Sequence, residues 1–520
     1  MWMKQDEHGN QHGNQGDKTK GFRRLCTVRK QAAADMETAL DGLRKRAVSL
    51  FDIPSSYRLL IEDGGRHKKG KATFLWVKPD SEEGIAVTFS SEGKLLEFTQ
   101  DVPDEWDHRP VLPVDELRRR AEQFVSSHDP KALEAFSHVT VTTEKNGIWV
   151  HFRQEALGLP LPLSGCRVKV HRSGAVTDFT YFGVQPLPEP PARLVGEAVC
   201  ERFLENDVTL RLVLKLLPES VFAGGGGTWR LVYEPEPVCL TCSAETGPQA
   251  KAAVDEEDVN WLPLSAEAVS ACEQGVESLE ELIGIDPVHY ERIQQTALFA
   301  AENQTAVVWG RRDRVSQEPD RPYRSIGEFF LRRQEERAAM AQLDANTGRL
   351  LSFWRWEEEA GTLRLSREEC LERAVSFLRR AVPELLPLLE LASDVPDEGG
   401  DERREREHFR FRVRRGGIPC EPGFLFVTVH SSTGRIERFS GLDAPPNGLI
   451  HAPIIPALPP REALRRLREE TVFRLQWEQC RDGGQSLYRL QYAAIHKESG
   501  LPVRLVDACS GEVICERRHG

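Results

Sequence analysis

The sequence predicts an α+β chain of tandem small modules, each one helix packed on an antiparallel β-sheet. Three observations predict it: a hairpin signature recurs six times, a helical pattern precedes each occurrence, and proline-rich stretches fall between some of the units. The clearest hairpin runs from Leu343 to Trp356 and reads Leu-Asp-Ala-Asn-Thr-Gly-Arg-Leu-Leu-Ser-Phe-Trp-Arg-Trp. It offers an apolar strand end, an Asp able to cap a turn, a Gly free to take φ > 0, and a second strand. Variants recur at Phe89 to Phe98, Val170 to Phe179, Cys242 to Gly247, Val429 to Phe439 and Val506 to Cys515.

Residues 1–30 are polar and contain the short duplication His8 to Gln15, with nothing to bury, so a disordered tail is expected. His8 and His12 lack the further ligands a specific metal site needs. The first module, 31–104, takes its helix from Met36, Leu40, Leu43, Ala47 and Leu50, ended by Ile53-Pro54, and its strands from Thr73 to Val77 and Ile85 to Phe89. The second, 105–188, has a helix through Leu117, Ala121, Phe124 and Val125, then strands at Val139 to Thr143, Ile148 to Phe152 and Cys166 to Val170.

Val195, Val199 and Phe203 open the third, 189–258, with strands at Trp229 to Tyr233 and Val238 to Cys242. The fourth, 259–360, begins with a longer helix, Leu264 to Ile283, capped by Ser265. In the fifth, 361–445, Ser366 and Glu369 form a capping box ahead of Leu371, Val375 and Leu378. Pro459 and Pro460 open the helix of the sixth, 446–520. Successive turn glycines (93, 174, 247, 348, 434, 511) lie 73 to 101 residues apart, too far for common solenoids and suited to small α+β modules.

The hairpins carry a packing statement as well. Five residues after the glycine stands Phe98, Phe179, Phe353 or Phe439, read as core, and two after stands an apolar residue such as Leu95 or Leu350. These positions have opposite parity on a strand, so either the strand bends or the first residue packs beneath the turn.

Composition narrows function. A formal charge of -12, from 69 basic and 81 acidic residues, excludes a general nucleic-acid binder, while leaving room for a local basic patch. No apolar run reaches membrane-span length and residues 1–30 hold no signal-peptide pattern, so the chain as written is expected in the cytoplasm, with its 11 cysteines reduced. No His-Glu-x-x-His, phosphate loop, dinucleotide fingerprint or Gly-x-Ser-x-Gly is present. Gly224 to Gly227 precedes a strand rather than a helix and reads as a hairpin loop. Cys239 and Cys242 would point to opposite faces of a strand, which suits neither redox chemistry nor zinc. Cys509 and Cys515 flank the last turn and read as free thiols, and the acidic pairs Glu256-Glu257 and Glu280-Glu281 read as solvated faces. No cofactor or metal is expected.

The recurring stretches resemble the bacterial YcdB/YcdC repeat proteins, whose modules are related to the PepSY domain. The resemblance rests on Phe409-Arg-Phe-Arg-Val with Gly417-Ile-Pro and Leu425 to Phe439. It rests equally on the parallel Val150-His-Phe-Arg, Gly158-Leu-Pro and Cys166 to Phe179, and on Leu343-Asp-Ala-Asn-Thr-Gly and Val506-Asp-Ala-Cys-Ser-Gly. It implies non-catalytic modules, association with a peptidase as restraint or helper, and an envelope setting.

Together these lead to a non-enzymatic protein- or peptide-binding protein, with strand addition at a sheet edge as its natural mode. Trp354 and Trp356, on the parity opposite Phe353, form the candidate partner-binding patch. The alternatives are a hydrolase assembled from several modules and a structural spacer of an envelope or spore layer.

Overall fold

The phenylalanine that follows four of the six turns decides the architecture, because it sets where neighbouring hairpins meet. The computed structural model describes residues 38–64, 70–79, 81, 83–238, 240–248, 259–264, 278–298, 304–313, 322–326, 328, 337–356, 361–393, 404–442, 446–482 and 485–517. The expected tail, Ser265, Cys239, Glu256 and Glu257 lie outside these residues. The chain is mixed α and β with mostly antiparallel sheets, and it divides into two units. The first comprises Met1–Arg153, Ser164–Gln185 and Pro319–Phe329; the second comprises Gln154–Leu163, Pro186–Glu318 and Phe330–Gly520.

The first unit contains a helix, α1, at 38–51, then β1 (Arg58–Asp63), β2 (Lys71–Val77), β3 (Gly84–Ser90) and β4 (Leu95–Gln100). Helices α2 (Val114–His128) and α3 (Ala132–Ala135) follow, then β5 (His138–Glu144) and β6 (Gly147–Arg153). The short pieces β7 (Glu155–Ala156) and β8 (Leu159–Pro160) belong to the second unit, and the first resumes with β9 (Gly165–His171) and β10 (Val176–Gly183). These strands form one eight-stranded sheet in the order β1-β2-β3-β4-β10-β9-β6-β5. Leu117, Ala121 and Val125, at helical spacing, bury the inner face of α2 against β6, β9 and β10.

The second unit continues with α4 (Glu197–Asn206), β11 (Thr209–Leu217), β12 (Thr228–Glu236), β13 (Thr241–Ser243), β14 (Asn260–Pro263) and α5 (Leu279–Ile283). Next come β15 (Tyr290–Leu298), β16 (Gln304–Arg311), β17 (Ala339–Asp344), β18 (Leu350–Arg355) and α6 (Arg367–Ala381). After these stand β19 (Leu389–Ser393), β20 (Arg406–Arg415), β21 (Ile418–His430), β22 (Ile436–Ser440), α7 (Pro446–His451) and α8 (Pro460–Glu470). The unit ends with β23 (Thr471–Asp482), β24 (Gln485–His496), β25 (Val503–Asp507) and β26 (Val513–Cys515).

Its main sheet runs β15-β16-β17-β18-β22-β21-β20-β19 before adding further strands, so the eight-strand order of the first unit occurs again in the second. Helix α6, started by the Ser366 and Glu369 capping box, packs on β20, β21 and β22 as α2 does on β6, β9 and β10. Strand β11 joins β21 in parallel at Leu214–Cys420 and Lys215–Glu421. Four charges fasten this junction: Arg211 lies 2.6 Å from both Glu234 and Glu421, and Lys215 contacts Glu234 and stands 2.9 Å from Glu421. Burial alone would raise the Glu421 carboxyl, but Lys215 and Arg211 outweigh it and hold it below the ordinary range.

The six expected turns form with left-handed glycines, φ between 68° and 91°. Asp344 Oδ1 accepts from the amides of Asn346 and Thr347, and Asp507 Oδ1 from those of Cys509 and Ser510. Ser243 Oγ and His430 Nδ1 take the same role. A seventh turn of this kind, His496 to Gly500, joins β24 to β25. The Gly224 to Gly227 loop is drawn tight, since a Cβ on Gly225 would meet the Leu217 carbonyl at 2.3 Å.

The parity conflict is resolved by a bulge in four hairpins. Phe89 pairs with Leu95 but Thr88 with Glu97, so Leu96 is skipped. Thr177, Leu351 and Glu437 are skipped likewise after their turns. One extra residue returns the position-five phenylalanine to the core face, where all four are buried. There they meet across strands: Phe98 is opposite Phe179 where β4 joins β10, and Phe353 is opposite Phe439 where β18 joins β22. Phe51 stacks on Phe98 at 4.1 Å, Phe124 meets Phe179 edge-on at 5.4 Å, and Phe377 meets Phe439 edge-on at 5.1 Å.

Truncating one of these rings leaves a cavity beneath a helix as well as a gap in the seam. Phe353→Ala is expected to lower the stability of the second unit by about 3–5 kcal/mol, read from the shift of its urea midpoint.

Candidate interaction face

On β20 the residues Phe409, Phe411 and Val413 turn inward, leaving His408, Arg410 and Arg412 on the other face. Register places Phe426 opposite Arg410 and Phe424 opposite Arg412 on β21. Trp261, on β14 beyond β19, joins them: the Arg410 guanidinium lies 5.2 Å from its ring centre and 4.2 Å from that of Phe424. Arg412 lies 4.5 Å from the same indole and donates to Glu390 at 2.7 Å. Phe424 is 6.0 Å from Trp261 and 6.4 Å from Phe426, which is 46% exposed. The Trp261 Nε1 proton is buried without an acceptor among the described residues. Both guanidiniums lie over aromatic rings, a cation–aromatic arrangement, and that of Arg412 is also paired with Glu390.

The same face continues across the seam. Thr428 is opposite Arg438, Arg438 is opposite Trp354, and Trp354 is opposite Met340. Trp354 is therefore on the face opposite Phe353, as its parity requires, and it is half-buried. Trp356 is half-buried too, but it lies past the end of β18, with its amide donated to the Ala338 carbonyl at 2.9 Å. The structure thus places Trp354 within the sheet face and Trp356 at its margin.

Sequence reasoning missed Trp261, Phe424, Phe426, Arg410 and Arg412 as a group. The alternation Arg410-Phe411-Arg412-Val413-Arg414 was the available signal, since an arginine at every second position of a strand lines one face. Trp261, by contrast, reaches the group only through long-range pairing.

The first unit bears a related ladder on the equivalent strands. Trp149 of β6 has the Arg167 guanidinium at 4.9 Å and the Lys169 ammonium at 5.4 Å, both from β9. His151 follows at 6.2 Å from the indole and is 3% exposed. Burial, then the charges of Arg153 and Arg167, lowers its pKa to about 4.

The seams differ on this face although their phenylalanines match. In the first unit Thr99 is opposite Asp178, whose carboxyl burial pushes upward; in the second the same places hold Trp354 and Arg438.

Several of the remaining sequence candidates within the described residues have structural partners. Cys242 is buried on β13 and its thiol shares a hydrogen bond with Cys200 of α4, which raises the Cys242 pKa. Cys509 is exposed, whereas Cys515 is buried and accepts from Ser499. Glu280 accepts from Arg292 at 2.7 Å and from the Trp309 indole at 3.2 Å. Among the described residues no cluster of three His, Cys, Asp or Glu side chains is placed to hold a metal, and no helix is long and apolar enough to cross a membrane.

The two eight-strand arrangements coincide with a known repeat. The profile of the YcdB, YcdC repeated domain matches residues 40–183 and 273–443, together more than half of the chain. The chain belongs to the YcdB/YcdC family. It is 27% identical over 487 residues to YcdB of Bacillus subtilis strain 168, covering 91% of this chain and 97% of that protein. It is 29% identical over 451 residues to YcdC of the same strain, covering 84% and 92%. Both relatives are described as uncharacterised. Among solved structures, the C-terminal domain of YpeB from Bacillus megaterium aligns over 50% of this chain and all of that one, with 10% identity and a TM-score of 0.23. Each YcdB/YcdC repeat here thus has the same eight-strand order with a phenylalanine seam at its centre, as a whole sheet in the first and as part of a 13-stranded sheet in the second.

His151 supplies a pH test of the first repeat. Its folded pKa of about 4 lies below the unfolded value of about 6.5, so the native state binds fewer protons between them. The stabilisation is full above pH 6.5 and is lost as pH falls toward 4, by up to about 3 kcal/mol. His151→Asn is expected to remove that share of the acid sensitivity, measured as the wild-type-minus-variant difference in unfolding free energy at pH 7 and pH 4.5.

Proposed function

We propose that this YcdB/YcdC protein is a non-enzymatic binding protein that engages a protein or peptide partner through the outer sheet face of its second repeat. The observation that carries this reading is the divergence of the two seams: a buried Phe-Phe pair is kept in both, while the outer positions change from Thr99 and Asp178 to Trp354 and Arg438. Core geometry does not require that change. Tryptophan and arginine are the side chains that dominate protein interfaces, and here they continue into Arg410, Phe424 and Phe426.

Within each repeat we read two PepSY-like modules, joined at the seam, with α2 and α6 as the helices of the second module in each. That reading makes a peptidase, or a protein that regulates one, the partner class to test first. Exposed aromatic surface at Phe426, beside the cations of Arg410 and Arg438, suits a partner segment rich in apolar residues.

Native extract passed over the immobilised full-length chain should yield a partner whose affinity is then measured by calorimetry. Trp354→Ala is expected to weaken that partner at least about tenfold, as for an interface hot spot, and Arg410→Ala likewise. Trp356→Ala, at the margin, should cost less. A partner bound equally well by wild type and by Trp354→Ala, with both proteins folded, overturns this reading.

A further inference from the structure

The outer edge of β1 is already occupied. β1 stands at the end of the first unit's sheet, with β2 on one side. On its other side lies Tyr323, from a segment that in sequence falls between β16 and β17 but belongs to the first unit. The Tyr323 amide donates to the Leu60 carbonyl at 2.8 Å, and the Glu62 amide donates to the Tyr323 carbonyl at 2.8 Å, forming a parallel bridge at Ile61. The Ile326 amide adds a bond to Asp63 Oδ2 at 3.1 Å. Tyr323 is 5% exposed and clusters with Leu60 and Ile61, bordered by Leu75, Val77 and Ile326. The chain bends at Arg324 and is helical at Ile326, where Ser325 Oγ accepts from the Glu328 amide as a cap.

We propose that this edge is a docking site for a peptide of the pattern aromatic-x-x-aliphatic that pairs with β1 at the aromatic residue and turns into a helix at the aliphatic one, and that residues 322–326 occupy it as a tethered stand-in. The segment shows what the site takes. The backbone pairs in parallel with β1 at one residue, an aromatic ring fills the place of Tyr323, and an aliphatic side chain at the start of a helical turn fills that of Ile326. This is strand addition, in which edge amides and carbonyls supply the affinity and two apolar anchors supply the register. Two ladder bonds and two anchors make a weak site in isolation. A tethered occupant nonetheless competes at an effective concentration on the order of millimolar, so the intact chain keeps the edge closed to dilute peptides. The assignment rests on the reading of the chain as a binding protein but uses a different surface, so failure of the Trp354 face leaves it standing.

Glu62 allows a test once its ion pair with Arg44 at 3.1 Å is controlled for by Glu62→Ala, which loses that pair but keeps the amide. Its N–H points to Tyr323 rather than to β2, so proline there removes the docking bond without removing a β1–β2 bond. The probe is a fluorescent peptide with the sequence of residues 319–329, followed by polarisation against the full-length chain. The Tyr323→Gly, Ile326→Gly double variant, with its edge vacated, is expected to bind the peptide at least about tenfold more tightly than wild type. Adding Glu62→Pro should abolish that binding, as should replacing the tyrosine of the peptide by glycine. Equal binding to wild type and vacated chain, binding that survives Glu62→Pro, or no binding to a folded vacated chain each overturns the proposal.

If the vacated chain does not fold, hydrogen exchange decides. Glu62→Pro in the otherwise wild-type chain should speed exchange at residues 322–326 at least about tenfold while β2 and β3 keep their protection. Unchanged exchange at 322–326 overturns the proposal.

Discussion

Two phenylalanine pairs hold the architecture in place. Phe98 against Phe179 and Phe353 against Phe439 are the points at which successive hairpins become one sheet. Each pair depends on a bulge. Without the skipped residue after the turn, the ring would point to the opposite face and the helices above the sheet would lose their contact. Because the ring, the bulge and the helix share one site, a change in any of them is felt by the others. This coupling explains why the hairpin signature recurs so evenly along a chain whose loops vary widely.

The core seam also leaves the other side of the sheet free to vary. A residue at the outer position beside the seam contributes little to the phenylalanine contact, so Thr99 with Asp178 and Trp354 with Arg438 are both compatible with one fold. The same freedom operates on the strands beyond. One repeat places its aromatic ring on β6 and its cations on β9, while the other places arginines on β20 and aromatic rings on β21. The cation-aromatic contacts are conserved in kind between the two repeats while their polarity across the strand pair is reversed.

Much of the fold was legible in the sequence because it depends on local chemistry. The turn glycines, the Asp344 and Asp507 caps, the Ser366–Glu369 capping box and the buried phenylalanines all rest on residues within a few positions of one another. The outer face was less legible. Trp354 could be assigned its side by counting from Phe353, but Trp261 meets Arg410 across about 150 positions of chain, and no local pattern encodes that pairing. The β23–β24 hairpin was missed for another reason. Thr471 follows Glu470 with no glycine or proline to end the helix, although Phe473, Leu475 and Trp477 alternate with Arg474, Gln476 and Glu478 as a half-buried strand does. The β1 edge could not be read at all, since Tyr323 carries no mark of its destination.

The strands outside the two repeats impose an order of assembly. Each repeat closes its sheet from residues near one another along the chain, but Val232 and Tyr233 of β12 pair with Asp507 and Val506, and Cys242 pairs with Tyr492. Those pairings close loops of roughly 250 residues or more, which is slow and leaves β12 and β13 with unsatisfied edges meanwhile. Asp507 must therefore have been made before this part of the fold can be completed. Strands β24 and β25 thus act as a clasp within the second unit, returning to strands far earlier in the chain.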